Sequence, residues 1–173
     1  SPFGPTLPHV GSLAENSRIE SSRLDRIDEQ FHLSWGKVRD VSHRGNCAVA
    51  TLRHATGREW TVELRAYDDG VAMRYRVSGG QGSEALIADE ATEFAVHGDP
   101  LVMFNVLDGF TTSHEALYER KPFADVPSNK LFDCPLLLLW PDGPAAAITE
   151  ARVRDFAGMY LERTADGPLE CRL

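Results

Sequence analysis

Apolar and polar residues alternate most clearly between Arg58 and Val77. Trp60, Val62, Leu64 and Ala66 are interleaved with Glu59, Thr61, Glu63 and Arg65; Asp68-Asp69-Gly70 follows; then Val71, Met73, Tyr75 and Val77 alternate with Ala72, Arg74 and Arg76. A period of two puts each apolar set on one face of a strand, and Asp-Gly between two such runs predicts a β-hairpin. With Asp69-Gly70 as a two-residue type I′ loop, Ala66 lies opposite Met73, Leu64 opposite Tyr75 and Val62 opposite Val77. Every apolar residue then shares one side, whereas a slip of one residue would turn one strand's apolar set to water. On the other side Glu63 meets Arg76, while Arg65 faces Arg74. That like-charge pair is unfavourable without a nearby carboxylate, for which Asp68, Glu90 and Glu93 are candidates.

Further strands are predicted at Ala85 to Val96, at the all-apolar run Leu136 to Trp140, and at Ala145 to Ala151 after the turn residues Pro141-Asp142-Gly143-Pro144. Met159 to Arg163 and Leu169 to Leu173, joined through Ala165-Asp166-Gly167, predict a last hairpin. Ser1 to Ser22 is rich in Ser, Pro and Gly and reads as irregular chain. Leu24, Ile27 and Phe31 share a helical spacing over a stretch too brief to define a helix, and a period of two sets in from Cys47. No internal repeat is visible, and no run of ten or more residues carries a helical apolar stripe. The pattern predicts an all-β fold of antiparallel strands in a sandwich. At roughly 150 residues per domain, a chain of 173 is expected to form a single domain over residues 1–173.

Composition narrows the function. The 18 Lys and Arg against 26 Asp and Glu give a formal charge of −8 with no basic block. Phosphate backbones are repelled by such a surface, so nucleic acid is not expected as a partner. The longest apolar run, Leu136 to Trp140, falls far short of the ~18 residues of a spanning helix, so membrane insertion is not expected either. Ser1 to Leu13 has neither the basic start nor the apolar middle of a signal peptide, which leaves localisation open from this end. Cys47, Cys134 and Cys171 lack the close spacing of a zinc site or a disulfide framework, and at most one bridge could form.

The six histidines, His9, His32, His43, His54, His97 and His114, show no metal-ligand spacing, and solvated loop and strand positions are their expected state. Gly79-Gly80-Gln81-Gly82 precedes no helix that could bind phosphate and reads as a loop. Carboxylates are the better candidates, since sugar-processing sites use paired Asp and Glu. Asp68 and Asp69 have turn-capping roles, and Glu90 and Glu93 read as strand-face charges. Glu150 stands apart, because alternation places it on the same strand face as Ala146 and Ile148. If buried there, it must be paired, hydrogen-bonded or metal-bound; an exposed or edge-strand position is its plainer state.

The string Val62-Glu-Leu-Arg-Ala-Tyr-Asp-Asp-Gly-Val-Ala-Met-Arg-Tyr75 resembles the R-x-Y-D-D-G-x-A-F-R-Y hairpin of the amino-terminal domain of glycoside hydrolase family 97. Three more pieces follow the family's order. Ser1-Pro-Phe-Gly is similar to its S-x-L-G segment, Asp89-Glu-Ala-Thr-Glu-Phe94 to its E-x-T-x-F strand, and Ile148-Thr-Glu-Ala-Arg-Val-Arg-Asp-Phe-Ala-Gly-Met159 to its I-S/T-E-A-x-L-x-D-Y-x-G-M strand. Met73 replaces the family's Phe, Phe156 its Tyr, and Arg152 an often acidic position.

The resemblance implies an antiparallel β-super-sandwich of the galactose-mutarotase-like kind, packed in the family against a carboxy-terminal (β/α)8 barrel. It implies exo-acting, calcium-dependent α-glucosidases, which invert, or α-galactosidases, which retain, acting on carbohydrate in the periplasm or outside the cell. The catalytic acid and its base or nucleophile belong to the barrel, so this chain alone is expected to be silent. By position Glu150 is similar to the family's E-A glutamate, one of several carboxylate ligands of the calcium ion. Alone it could not hold an ion that takes six to eight oxygens. The resemblance also implies further strands before and after this chain, which would make it a domain fragment with an unpaired sheet edge open to dimerisation.

Two other functions fit the residues. A stand-alone mutarotase-like epimerase would set a histidine acid against a Glu base such as Glu90 or Glu150. A carbohydrate-binding sandwich would use Trp35, Trp60 or Trp140 as a platform, although alternation sends Trp60 toward the core.

Overall fold

The computed structural model describes residues 3–77, 85–151, 153, 156–165 and 167–173. Among them the chain runs β1 (Pro5–Leu7), β2 (Gly11–Ser12), β3 (Ser17–His32), β4 (Asp40–His54), β5 (Glu59–Tyr67), β6 (Val71–Val77), β7 (Asp89–Glu90), β8 (Glu93–Phe94), β9 (Leu101–Leu107), β10 (Tyr118–Pro122), β11 (Leu131–Phe132), β12 (Leu136–Leu139), β13 (Ala145–Ile148), β14 (Tyr160–Arg163) and β15 (Leu169–Arg172). A single 3-10 turn, Phe123–Asp125, is the only helical element among the described residues. The fold is all-β, and its strand pairings are antiparallel. It divides into two compact units, Leu7–Ile87 and Ser1–Thr6 with Ala88–Leu173.

The first of these is built on a four-stranded sheet in the order β3-β4-β5-β6. The hairpin predicted from alternation is β5–β6, and its apolar residues share one face as expected. Its register differs by two. Ala66 pairs with Val71, Leu64 with Met73, Val62 with Tyr75 and Trp60 with Val77. The turn is centred on Asp68-Asp69, closed by the Tyr67 N–H donating to the Gly70 carbonyl at 2.8 Å. Neither aspartate nor Gly70 has positive φ, so this is not the type I′ loop that Asp-Gly suggests. Charge explains the choice. A shift of two keeps every side chain on its face but places Glu63 opposite Arg74 and Arg65 opposite Ala72, which removes the Arg65–Arg74 clash. The neutralising carboxylate is thus Glu63, not Asp68, Glu90 or Glu93.

Residues 17–32 are strand, not irregular chain or a helical turn, because β4 pairs them along almost their whole length. Both faces of β3 are largely exposed, so no apolar alternation marks it in the sequence. Trp60 anchors this unit's interior with Val62 and Leu13. Its indole N–H donates to Ser17 Oγ at 3.0 Å, and that hydroxyl donates to the Leu13 carbonyl at 2.5 Å. Pairing of β4 with β5 ends at Gly45 opposite Tyr67. A Cβ at Gly45 would run into the Ala66 carbonyl oxygen and the Tyr67 ring, so only glycine allows this approach. Beyond it β3 and β4 continue as a two-stranded ribbon, whose Leu33 N–H donates to the Arg39 carbonyl at 2.7 Å.

The second unit centres on β9, a strand that the alternation left unread because Leu101-Val-Met-Phe-Asn-Val-Leu107 is nearly continuous apolar sequence. It pairs with β10 on one side, and with β12 and β11. The sheet order is β13-β12-β9-β11-β14-β15-β8, with β10 off the path. Val102, Phe104, Phe132, Leu136, Leu161 and Leu169 form the buried core. The predicted last hairpin is β14–β15, with Leu161 opposite Cys171. Strand β13 stops at Ile148, so Glu150 sits on the segment after the strand and not on its face.

Candidate functional site

Glu150 follows β13, and its carboxylate is held by the start of β14. The Met159 N–H donates to Glu150 Oε1 at 2.6 Å and Oε2 at 3.0 Å. A charge-assisted bond of this kind is stronger than a neutral one and fixes the carboxylate against the backbone. From Met159 a chain of contacts leads to a second glutamate. Cys171 Sγ lies 3.2 Å from Met159 Sδ, the Cys171 N–H donates to the Thr92 carbonyl at 2.8 Å, and Thr92 Oγ1 donates to Glu90 Oε1 at 2.7 Å. Glu90 is placed by the amino-terminal segment, where Pro5 pairs with Glu90 and the Ala91 N–H donates to the carbonyl of Gly4, whose φ of 90° favours glycine. Ser1, Pro2 and Arg152, named in the sequence comparison, lie outside the described residues, as does Gly79-Gly80-Gln81-Gly82.

Burial and like charge govern the ionisation of this group. Burial raises the Glu90 carboxyl above its ordinary range; the Thr92 bond opposes the rise, and the charges of Glu150 and Asp89 add to it. Burial pushes the Cys134 thiol up to about 11, with Glu150 and Asp133 contributing, and the Cys171 thiol up to about 12, with Glu90 contributing next. Burial is the first cause at all three groups, with neighbouring carboxylates adding to it. Both thiols are free, so their reactivity tests this environment directly. At pH 8 a thiol with pKa near 11 holds about two orders of magnitude less thiolate than an ordinary cysteine. Cys134 and Cys171 are therefore expected to react with a disulfide reagent at least 100-fold more slowly in the native chain than after unfolding. Two thiols modified at the unfolded rate under native conditions would contradict the arrangement.

No group of three or more His, Cys, Asp or Glu side chains suited to a metal ion occurs among the described residues. Glu150 can therefore give a cation one carboxylate and no more than a share of a site. Histidines are elsewhere: His32 pairs with Asp40 at 2.9 Å and His114 with Asp133 at 3.0 Å, while His54 contacts Thr56. None of these three is hydrogen-bonded to Glu90 or Glu150. Trp60 is buried, which removes it as a sugar platform; Trp140 donates to the His97 carbonyl at 2.9 Å; Trp35 is 82% exposed on the ribbon. One cluster has no counterpart in the sequence reading. Tyr160 lies edge-on to Phe110 with ring centroids 5.3 Å apart and donates to its carbonyl at 3.3 Å, and the His114 ring lies 5.9 Å from Tyr160 on the other contact. Tyr160 lies 50 residues beyond Phe110, and the fold brings it against the β9–β10 connection that carries Phe110 and His114.

All-β architecture with a carboxylate presented just past a strand is the class that the geometry defines. Solved structures share the fold over nearly the whole chain. A glycoside hydrolase family 97 enzyme from Pseudoalteromonas sp. strain K8, solved in complex with acarbose and, as a variant, with panose, superposes with a TM-score of 0.83 at 24% identity, covering 99% of this chain and 26% of that one. A β-arabinopyranosidase superposes with a TM-score of 0.81 at 22% identity, covering 100% of this chain and 29% of that one. Among curated proteins, the retaining alpha-galactosidase of Bacteroides thetaiotaomicron is 25% identical over 170 residues, 93% of this chain and 25% of that protein. The family model described as glycosyl-hydrolase 97 N-terminal matches residues 4–172. The chain belongs to the glycosyl-hydrolase 97 amino-terminal family, and it spans about a quarter of the length of the relatives it matches.

Proposed function

We propose that this chain is the non-catalytic amino-terminal part of an exo-acting α-glycosidase, an α-galactosidase or α-glucosidase, exported to the periplasm or beyond. In this reading it packs on a (β/α)8 barrel that carries the catalytic acid and its partner, forms part of the carbohydrate pocket wall, and lends Glu150 to a calcium ion at that pocket. The observation that carries the reading is the bidentate Met159 N–H contact. It fixes a carboxylate beyond the end of β13, whose charge adds to the burial that raises Glu90, Cys134 and Cys171. Hard carboxylate oxygen is the donor calcium prefers, and each oxygen bound to one N–H keeps a lone pair for the ion. A bound calcium ion would polarise a substrate or leaving-group oxygen. The relatives support the substrate class, one being a retaining alpha-galactosidase and another having been solved with acarbose and panose.

The test compares the 173-residue chain with the longest natural form of its reading frame, using p-nitrophenyl α-galactoside and α-glucoside with calcium or with a chelator. Activity is expected only in the longer protein and only with calcium. Glu150→Gln should lower its calcium affinity at least 10-fold by calorimetry and its activity at limiting calcium in parallel. The short chain should show no measurable calcium binding. Hydrolysis by the short chain, or unchanged calcium affinity in Glu150→Gln, would overturn the reading.

A further inference from the structure

Strand β3 is an edge. It is 16 residues long, β4 is its one neighbour in the sheet among the described residues, and all but a few of its side chains are exposed. Proline and lysine, two common devices against edge-to-edge pairing, are absent from it. What it carries instead is a pattern of charge around one apolar residue, Leu24, which is 85% exposed.

We propose that two copies of this chain join along β3, antiparallel, about a two-fold axis through Leu24. In such a pair, facing residues must have numbers of the same parity so that their side chains share a face, which leaves few registers to compare. Centred on Leu24, Arg23 of each copy faces Asp25 of the other, Leu24 faces Leu24, Ser22 faces Arg26 and Ser21 faces Ile27. From Ser21 to Ile27 two opposite-charge pairs flank an apolar contact and no like charges meet; one step further Glu20 would face Asp28, but Glu20 lies in the bulge of β3 and is held by Arg53 at 2.6 Å. Other centres fail. Arg23, Asp25 or Arg26 at the axis would each meet its own copy, and Ile27 at the axis would set Asp25 against Glu29 twice. Among these neighbouring centres the charges therefore favour Leu24, the one with opposite charges on both sides of the axis.

Two further observations fit. Arg23 and Asp25 already sit side by side on one face, the guanidinium donating to the carboxylate at 2.9 Å, so the copy extends an existing pair into a four-charge ladder. The register of β3 on β4 shifts between Ile19 and Ser21, a bulge that ends the regular edge where the proposed pairing ends.

Light scattering after size exclusion tests this on the 173-residue chain, across a range of concentrations. The expected species has twice the monomer mass. Arg23→Asp should weaken dimerisation at least 10-fold, and the double variant Arg23→Asp with Asp25→Arg should restore it, since the swap keeps each cross-pair complementary. The two side chains are 71% and 53% exposed, so the fold should survive both changes, which circular dichroism checks. Leu24→Cys should form an intermolecular disulfide on mild oxidation, whereas Ser22→Cys, facing Arg26, should not. A monomer at all concentrations, open-ended multimers, equal cross-linking at both positions, or no rescue by the double swap would each overturn the proposal.

Discussion

Replacing Phe104 with alanine is expected to destabilise the fold by about 3–5 kcal/mol, the range for truncating a buried aromatic residue. Phe104 is fully buried on β9, its ring meets Phe132 edge-on at 5.1 Å between centroids, and Val102 and Leu138 lie in the same core. Because β9 is also where β10, β11 and β12 find their pairing partner, the cavity sits beneath most of one sheet. Domains of this size are commonly stable by about 5–15 kcal/mol, so the loss is a large fraction of the total. In urea the midpoint should fall by more than about 1 M, given a typical dependence of 1–3 kcal/mol per M. Hydrogen exchange should place the loss in residues 101–107, 131–139 and 160–172, with residues 40–67 changing less. Phe104→Leu should recover most of it. A cost below about 1 kcal/mol for alanine would mean that β9 does not hold the core.

What could be read from the sequence follows from where each residue's partners are. Strands β5, β6, β14 and β15 were legible because each faces a partner close in sequence, with a turn between and an apolar set on one side. Strand β9 was not, since it is buried too deeply to alternate, and β3 was not, since it is too exposed to alternate. Period two marks only the strand with one wet face. The hairpin register shows a different limit. Apolar patterning cannot distinguish registers that differ by two, and turn chemistry pointed one residue off; the charges on the opposite face held the answer, through Glu63 opposite Arg74. Glu150 was visible as a carboxylate in an unusual place and through the family string. Its neighbours Glu90, Thr92, Met159 and Cys171 were not visible as a group, because they meet through backbone bonds between β8, β14, β15 and the amino-terminal segment. The match to the family model confirms the family read from four short strings, although Ser1 and Pro2 of one string and Arg152, Arg154 and Asp155 of another lie outside the described residues.

Acid should remove about 3 kcal/mol from this fold through Glu63 alone, at the upper end of what one carboxylate contributes. Its side chain is 8% exposed at the middle of the β3–β6 sheet, on the face opposite Trp60 and Val62. Arg74 donates to Oε2 at 2.5 Å, Arg65 donates to Oε1 at 2.7 Å, and Arg76 reaches Oε2 at 3.3 Å. The Arg74 bond, and after it Arg65, drive the carboxyl down to about 2, although burial pushes the other way. The native state therefore holds off a proton that the unfolded chain accepts near its ordinary value of 4.5. Stability from Glu63 is full above about pH 4.5 and falls as the pH drops toward 2. Glu63→Gln should lose about 2–3 kcal/mol at pH 7, because three half-exposed guanidiniums are left facing one another without their carboxylate. The variant should also show a flatter stability profile than the parent between pH 4.5 and 2, the two curves converging at the acid end. Since other carboxylates titrate in the same window, the difference between the two curves isolates Glu63. Parallel curves would mean that its carboxyl titrates alike in the folded and unfolded chain. In that case the three arginines would not be what holds the β5–β6 register.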